Sequence, residues 1–149
     1  MEAYSAILKR VPRKVARGTH VCGRLSENLI SMLVEIERLD FLNHEFHDTP
    51  ANLRLPWKRL LDVGDKFLSP GVFSSRRPVV EGVDEILMLA RRVIRGVGVE
   101  RVNVFTGDCG LGGLRGVEGA YRISLEKLGN LAKSVKLLNE EFDFSASEE

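Results

Sequence analysis

Two cysteines and three histidines are the only thiols and imidazoles in the 149 residues, and their neighbours decide what they can do. His20 and Cys22 stand two apart in Thr19-His20-Val21-Cys22-Gly23. In an extended chain such residues project from the same face and can grip one ion together. Glu45 lies in Asn43-His44-Glu45-Phe46-His47, and Cys109 in Thr106-Gly107-Asp108-Cys109-Gly110-Leu111. An imidazole, a carboxylate and two thiolates make a tetrahedral zinc set, and ligands from separate segments suit a catalytic rather than a finger-type site. A thiol bound to such an ion loses its proton near neutral pH, and the thiolate is the nucleophile. Against this, a lone His-x-Cys is a common pattern and the cysteines of small proteins are more often simply buried. Spacing leaves both readings open. His44 and His47 pose the same choice, between facing the site and ordinary packing or exposure.

Glycines at 107, 110, 112, 113 and 116 raise the question of phosphate binding. No Gly-Lys-Ser/Thr closes that loop, and the glycine spacing does not fit the dinucleotide fingerprint. The better expectation is a loop whose backbone must approach a neighbour closely.

These segments need elements to position them. β-like runs alternate with helical patterns four times, at residues 15–22, 41–46, 71–74 and 101–105. Ser26 is placed to cap the first helix, in which Leu29, Ile30, Leu33 and Ile36 recur at helical spacing. A short helix follows Thr49-Pro50 and runs to about Leu61. The third is the clearest: Val83, Ile86, Leu87, Ala90, Val93 and Ile94 line one face, Asp84 and Glu85 open it, and Gly96 is expected to end it. The last covers residues 121–138. Such alternation implies an α/β fold with parallel pairing through right-handed crossovers. Four units make a small open sheet or half of an eight-stranded barrel, because a complete barrel takes about 250 residues. The candidate ligands fall at the C-terminal ends of runs one, two and four, where such folds collect their chemistry.

Composition sets the outer limits. The 22 Lys+Arg and 21 Asp+Glu leave a net charge of +1, so no strong field draws the chain to nucleic acid or anionic lipid. Basic residues gather in the first 24 positions and acidic ones at 143–149, read as a frayed acidic tail after one domain over 1–142. No apolar run is long enough to span a bilayer, the start resembles no secretory leader, and two cysteines are too few for a disulfide scaffold. The expected address is the cytoplasm.

Taken together, His20-Val21-Cys22-Gly23, Asn43-His44-Glu45-Phe46 and Asp108-Cys109-Gly110-Leu111 resemble the zinc-site segments of the cobalamin-independent methionine synthase family, especially its short archaeal-type members. The similarity extends to Lys127-Leu128-Gly129-Asn130-Leu131-Ala132-Lys133. The resemblance implies that His20, Cys22, Glu45 and Cys109 ligate Zn2+. It also implies methyl transfer from a methyltetrahydrofolate, or in short relatives a corrinoid carrier, to the thiol of homocysteine, giving methionine. Two departures stand out. Where the family has Gly-Val-x-Asp-x-His/Lys-Ser-Pro, this chain has Gly71-Val72-Phe73-Ser74-Ser75-Arg76-Arg77-Pro78. Arg76 thus occupies the position of the family's proton donor, and Arg is a poor general acid. The second departure is length: the chain resembles only the second half of the family's (β/α)8 barrel. A homodimer or a separately encoded first half would complete it. Arg76 and the short length leave two alternatives, a non-catalytic relative that binds zinc or a thiol, and a methyltransferase for another thiol acceptor.

Overall fold

Extended and helical segments alternate along the computed structural model, which describes residues 2–142; the predicted acidic tail at 143–149 lies outside the described residues. Helix α1 (Glu2–Leu8), which the sequence pattern did not announce, precedes β1 (Gly18–Val21), α2 (Glu27–Val34) and β2 (Phe41–Glu45). A 3-10 turn (Pro50–Arg54) then leads to α3 (Trp57–Gly64), β3 (Phe67–Gly71), α4 (Val83–Val97) and α5 (Ala120–Phe142), with further 3-10 turns at Val99–Arg101 and Leu111–Leu114. Ser26 caps α2 as expected, its side chain accepting the amide of Leu29.

The strands form a three-stranded parallel sheet in the order β1-β2-β3. His20 pairs with Asn43, Asn43 with Ser69, and Glu45 with Gly71. Period-two alternation puts Leu42, His44, Leu68 and Pro70 on one face, and His20, Asn43, Glu45 and Ser69 on the other. The first face is sealed by helices: α2 packs on α3, α3 on α4 and α4 on α5. Their apolar stripes, including Ile30, Val34, Trp57, Leu61, Ile86, Ala90 and Val93, join Leu42 and Leu68 in one core. Each such fully buried aliphatic side chain contributes about 1.5–3 kcal/mol. The second face carries Phe41 and Phe67 at its N-terminal end and is polar beyond them, at His20, Asn43, Glu45 and Ser69. Among the described residues, no helix is long and apolar enough to cross a membrane.

Three differences from the sequence expectations have physical causes. The third strand lies earlier than 71–74, because Pro70 sits inside a strand instead of ending a loop. The fourth expected strand is joined to β3 only by isolated parallel bridges, Leu68 with Val102 and Gly71 with Thr106. Between those bridges the fourth run carries one residue more than β3, which makes a bulge. Asn103 donates to the Leu68 carbonyl at 2.8 Å and Thr106 to that of Pro70 at 3.0 Å, but Pro70 has no N–H to return, so the ladder breaks there. Finally, α4 does not stop at Gly96. It runs one residue further to Val97, and Gly98 supplies the positive φ of 92° that ends it.

Candidate metal centre

The C-terminal edge of the sheet gathers the candidate donors. His20, near the end of β1, and Cys22, just beyond it, share a face by alternation, and Cys109 arrives from the loop after the fourth run. His20 Nε2 lies 3.1 Å from Cys22 Sγ, and the two sulfurs are 3.7 Å apart. One ligand atom from each of the three falls within 4.8 Å of the others, a span that a single ion can bridge. Cys109 is half-buried, while His20 and Cys22 are exposed, so the group opens to solvent. Removal from water, the hydrogen bond and charge of Cys109, and the charge of Glu45 all push the Cys22 thiol upward; the Arg76 cation opposes them. A thiol whose charge is disfavoured by a neighbouring thiol and carboxylate is a donor that a divalent cation relieves. The residues therefore fit zinc.

Glu45 stands apart from that three-residue group. It is wholly buried, Thr49 donates to its Oε2 at 2.9 Å, and Arg76 holds Oε1 in an ion pair. Its charge nonetheless reaches Cys22. The Glu45 charge drives the Arg76 guanidinium further from deprotonation, so no group at that position releases a proton near neutral pH. Ser74 shapes the loop that brings Arg76 in: its Oγ accepts the amides of Arg76 and Arg77 at 3.2 and 3.0 Å and donates to Asp48 Oδ2 at 2.7 Å. The Ser74 amide in turn donates to Glu81, which pairs with the fully buried Lys127 at 2.6 Å. Ser74, which stands where the family pattern has an acidic residue, thus works as a turn former.

His47, Asp48 and Asp108 also converge within 4.8 Å. Their polar atoms are already engaged. Asp108 accepts the amides of Phe46, His47 and Asp48 at 3.0, 3.0 and 2.6 Å, pinning the loop after β2 to the residue before Cys109. Burial raises the Asp108 carboxyl, and those amides pull it back. Gly71 makes this clip sterically feasible, since a Cβ there would sit 2.5 Å from the Asp108 backbone. The Gly-rich loop obeys the same rule only in part: a Cβ at Gly113 would lie 2.8 Å from the Ser75 carbonyl and one at Gly107 2.7 Å from the Phe73 ring, whereas at Gly110, Gly112 and Gly116 it would meet nothing within 4 Å.

Of the remaining histidines, His44 turns into the core against Trp57, with ring centroids 5.6 Å apart. His47 is half-buried and faces Asp48, Glu81 and Glu85. Asn43 was missed by the sequence reading. It lies between His20 and Ser69 on the polar face, and period-two alternation through run two was the signal that could have found it.

No family model matches the chain, and no curated protein matches it. Among solved structures, the chain resembles a B12-independent methionine synthase from Shewanella sp. W3-18-1 in complex with selenomethionine, with a TM-score of 0.72 at 16% identity. The match covers 94% of this chain and 42% of that one, so the chain spans less than half the length of its structural neighbour. At that identity the likeness is one of fold.

Proposed function

We propose that the chain is the zinc-binding half of a methionine-synthase-type methyltransferase. The observation that carries this reading is the meeting of His20, Cys22 and Cys109 at the C-terminal edge of a parallel sheet whose fold resembles a methionine synthase. Those three residues hold the ion, and Glu45 is the fourth donor assigned by the sequence resemblance. Zinc, when bound, supplies the positive charge that lets a substrate thiol ionise near neutral pH.

The residues of the chain do the rest. The exposed side of the group admits homocysteine, and the thiolate charges of Cys22 and Cys109 keep an adjacent sulfur electron-rich. In the transfer, the thiol proton leaves to water and the sulfur lone pair forms the bond to the methyl carbon. The bond from that carbon to the donor, a methyltetrahydrofolate or a methylcorrinoid, breaks with its electron pair going to the donor. For a folate donor, protonation of the leaving nitrogen falls to a group other than Arg76.

A second half-barrel completes the pocket. Support comes from the sheet itself: parallel sheets are normally buried in apolar layers on both faces, yet one face here turns polar toward its C-terminal end, and among the described residues β1 pairs on one side only. The Arg76–Glu45 pair favours one competing reading, a relative that binds zinc or a thiol without transferring methyl groups.

Native mass spectrometry of the chain supplied with zinc, followed by a homocysteine methylation assay, tests the proposal. One zinc per chain, lost in Cys109→Ser, with methionine formed by the completed assembly is the expected result. A chain that takes up no zinc overturns the metal reading. Zinc binding without turnover in the completed assembly leaves the non-catalytic relative.

A further inference from the structure

We infer that Asn43 is a positioning residue that fixes the tautomer of His20, so that Nε2 is the nitrogen presented to a metal ion; the metal half of this inference rests on the zinc reading above. The argument is one of donors and acceptors. A side-chain amide carries an oxygen that only accepts and a nitrogen that only donates. Asn43 Nδ2 lies 2.6 Å from the Ser69 carbonyl oxygen and 2.9 Å from Thr106 Oγ1. A carbonyl can only accept, and the Thr106 hydroxyl directs its own proton to the Gly107 carbonyl at 2.9 Å. Both partners therefore require the amide nitrogen, and the orientation of Asn43 is settled by the backbone of β3 and the hydroxyl of the fourth run.

The amide oxygen is left facing His20 Nδ1 at 2.6 Å. Because that oxygen cannot donate, Nδ1 must carry the hydrogen. In a neutral imidazole the other nitrogen is then unprotonated, and that nitrogen, Nε2, is the one 3.1 Å from Cys22 Sγ. The opposite tautomer would set two lone pairs against each other across the Asn43 contact and aim an N–H at the metal position. The selection chain crosses the whole sheet, from Thr106 and the Ser69 carbonyl through Asn43 to His20, because register places His20, Asn43 and Ser69 side by side on one face. His20 is solvent-exposed, where water would otherwise let both tautomers populate. Ligating histidines commonly have their second nitrogen tied to an acceptor, and losing that acceptor weakens metal binding about 10–100-fold.

Two readouts separate this role from ordinary sheet packing. Long-range 1H–15N NMR of the labelled full chain without metal reads the tautomer directly, with His20 assigned by its loss in His20→Gln. Zinc affinity comes from competition with a chromophoric chelator. The wild type should show His20 protonated on Nδ1. Asn43→Leu should lose that preference and bind zinc about 10–100-fold more weakly. A wild-type His20 protonated on Nε2 overturns the inference without any variant being needed, so a misfolded Asn43→Leu does not rescue it. A folded Asn43→Leu with unchanged zinc affinity also overturns it. If the tautomer follows Asn43 but no variant or wild type binds zinc, tautomer selection is supported and the zinc reading alone fails.

Discussion

The two faces of the sheet are built from the same strands and obey opposite rules. On the helix-covered face, Leu42, His44 and Leu68 are wholly buried, and even the histidine is held by packing against Trp57. On the other face, His20, Asn43 and Thr106 are joined by hydrogen bonds, Glu45 is paired with Arg76, and His20 is exposed. The contrast teaches that one face holds the protein folded and the other holds groups at fixed separations. A parallel sheet normally buries both faces in apolar layers. Here the second face instead carries a polar relay that ends at two cysteines.

The contrast is breakable by substitution. The largest effect is expected from Cys109→Ser, which should remove most zinc affinity while leaving the thermal unfolding of the zinc-free chain close to wild type; equal zinc uptake by atomic absorption would mean the ligand assignment is wrong. On the apolar face, Leu68→Ala should destabilise by about 2–5 kcal/mol in denaturant titration without altering zinc stoichiometry in the folded fraction. Loss of zinc binding there would show that the two faces are not separable.

His44 tests the apolar face through pH. Burial lowers its pKa from 6.5 to about 4, so between those values the unfolded chain binds more protons than the folded one. Stability should be full above pH 6.5 and fall as the pH drops toward 4, by up to roughly 3 kcal/mol. His44→Gln should flatten that part of the profile, and an unchanged slope would assign it to other groups. The smallest effect is expected at Arg76. Arg76→His releases the Glu45 carboxylate and removes a nearby cation, so zinc affinity should rise roughly fivefold, as suits a solvent-screened pair worth about 1 kcal/mol. Weaker binding would show that Arg76 supports the site rather than competing with it.

Much of this arrangement is legible in residue order. The His20-x-Cys22 spacing implied a shared face, and the structure places the two side chains 3.1 Å apart. Ser26, Asp84 and Glu85 marked helix starts through capping and dipole chemistry, which act within one turn and so can be read locally. Gly96 misled because an isolated glycine is tolerated inside a helix, and only the backbone φ distinguishes it from the true stop at Gly98. Pro70 misled for a related reason: a proline is excluded from a strand interior only if its missing N–H faces a regular partner, and here it faces a bulge.

Local order thus determined which residues alternate, where helices begin, and which side chains carry thiol, imidazole and carboxylate chemistry, since these depend on neighbours a few positions away. Tertiary structure alone decided that Cys109 meets Cys22, that Glu45 is held by Arg76 and Thr49, and that Asn43 turns its oxygen toward His20. Those outcomes depend on strand register and on the unpaired nitrogen of Pro70, which couple residues far apart in sequence and are settled only when the whole sheet satisfies its hydrogen bonds together.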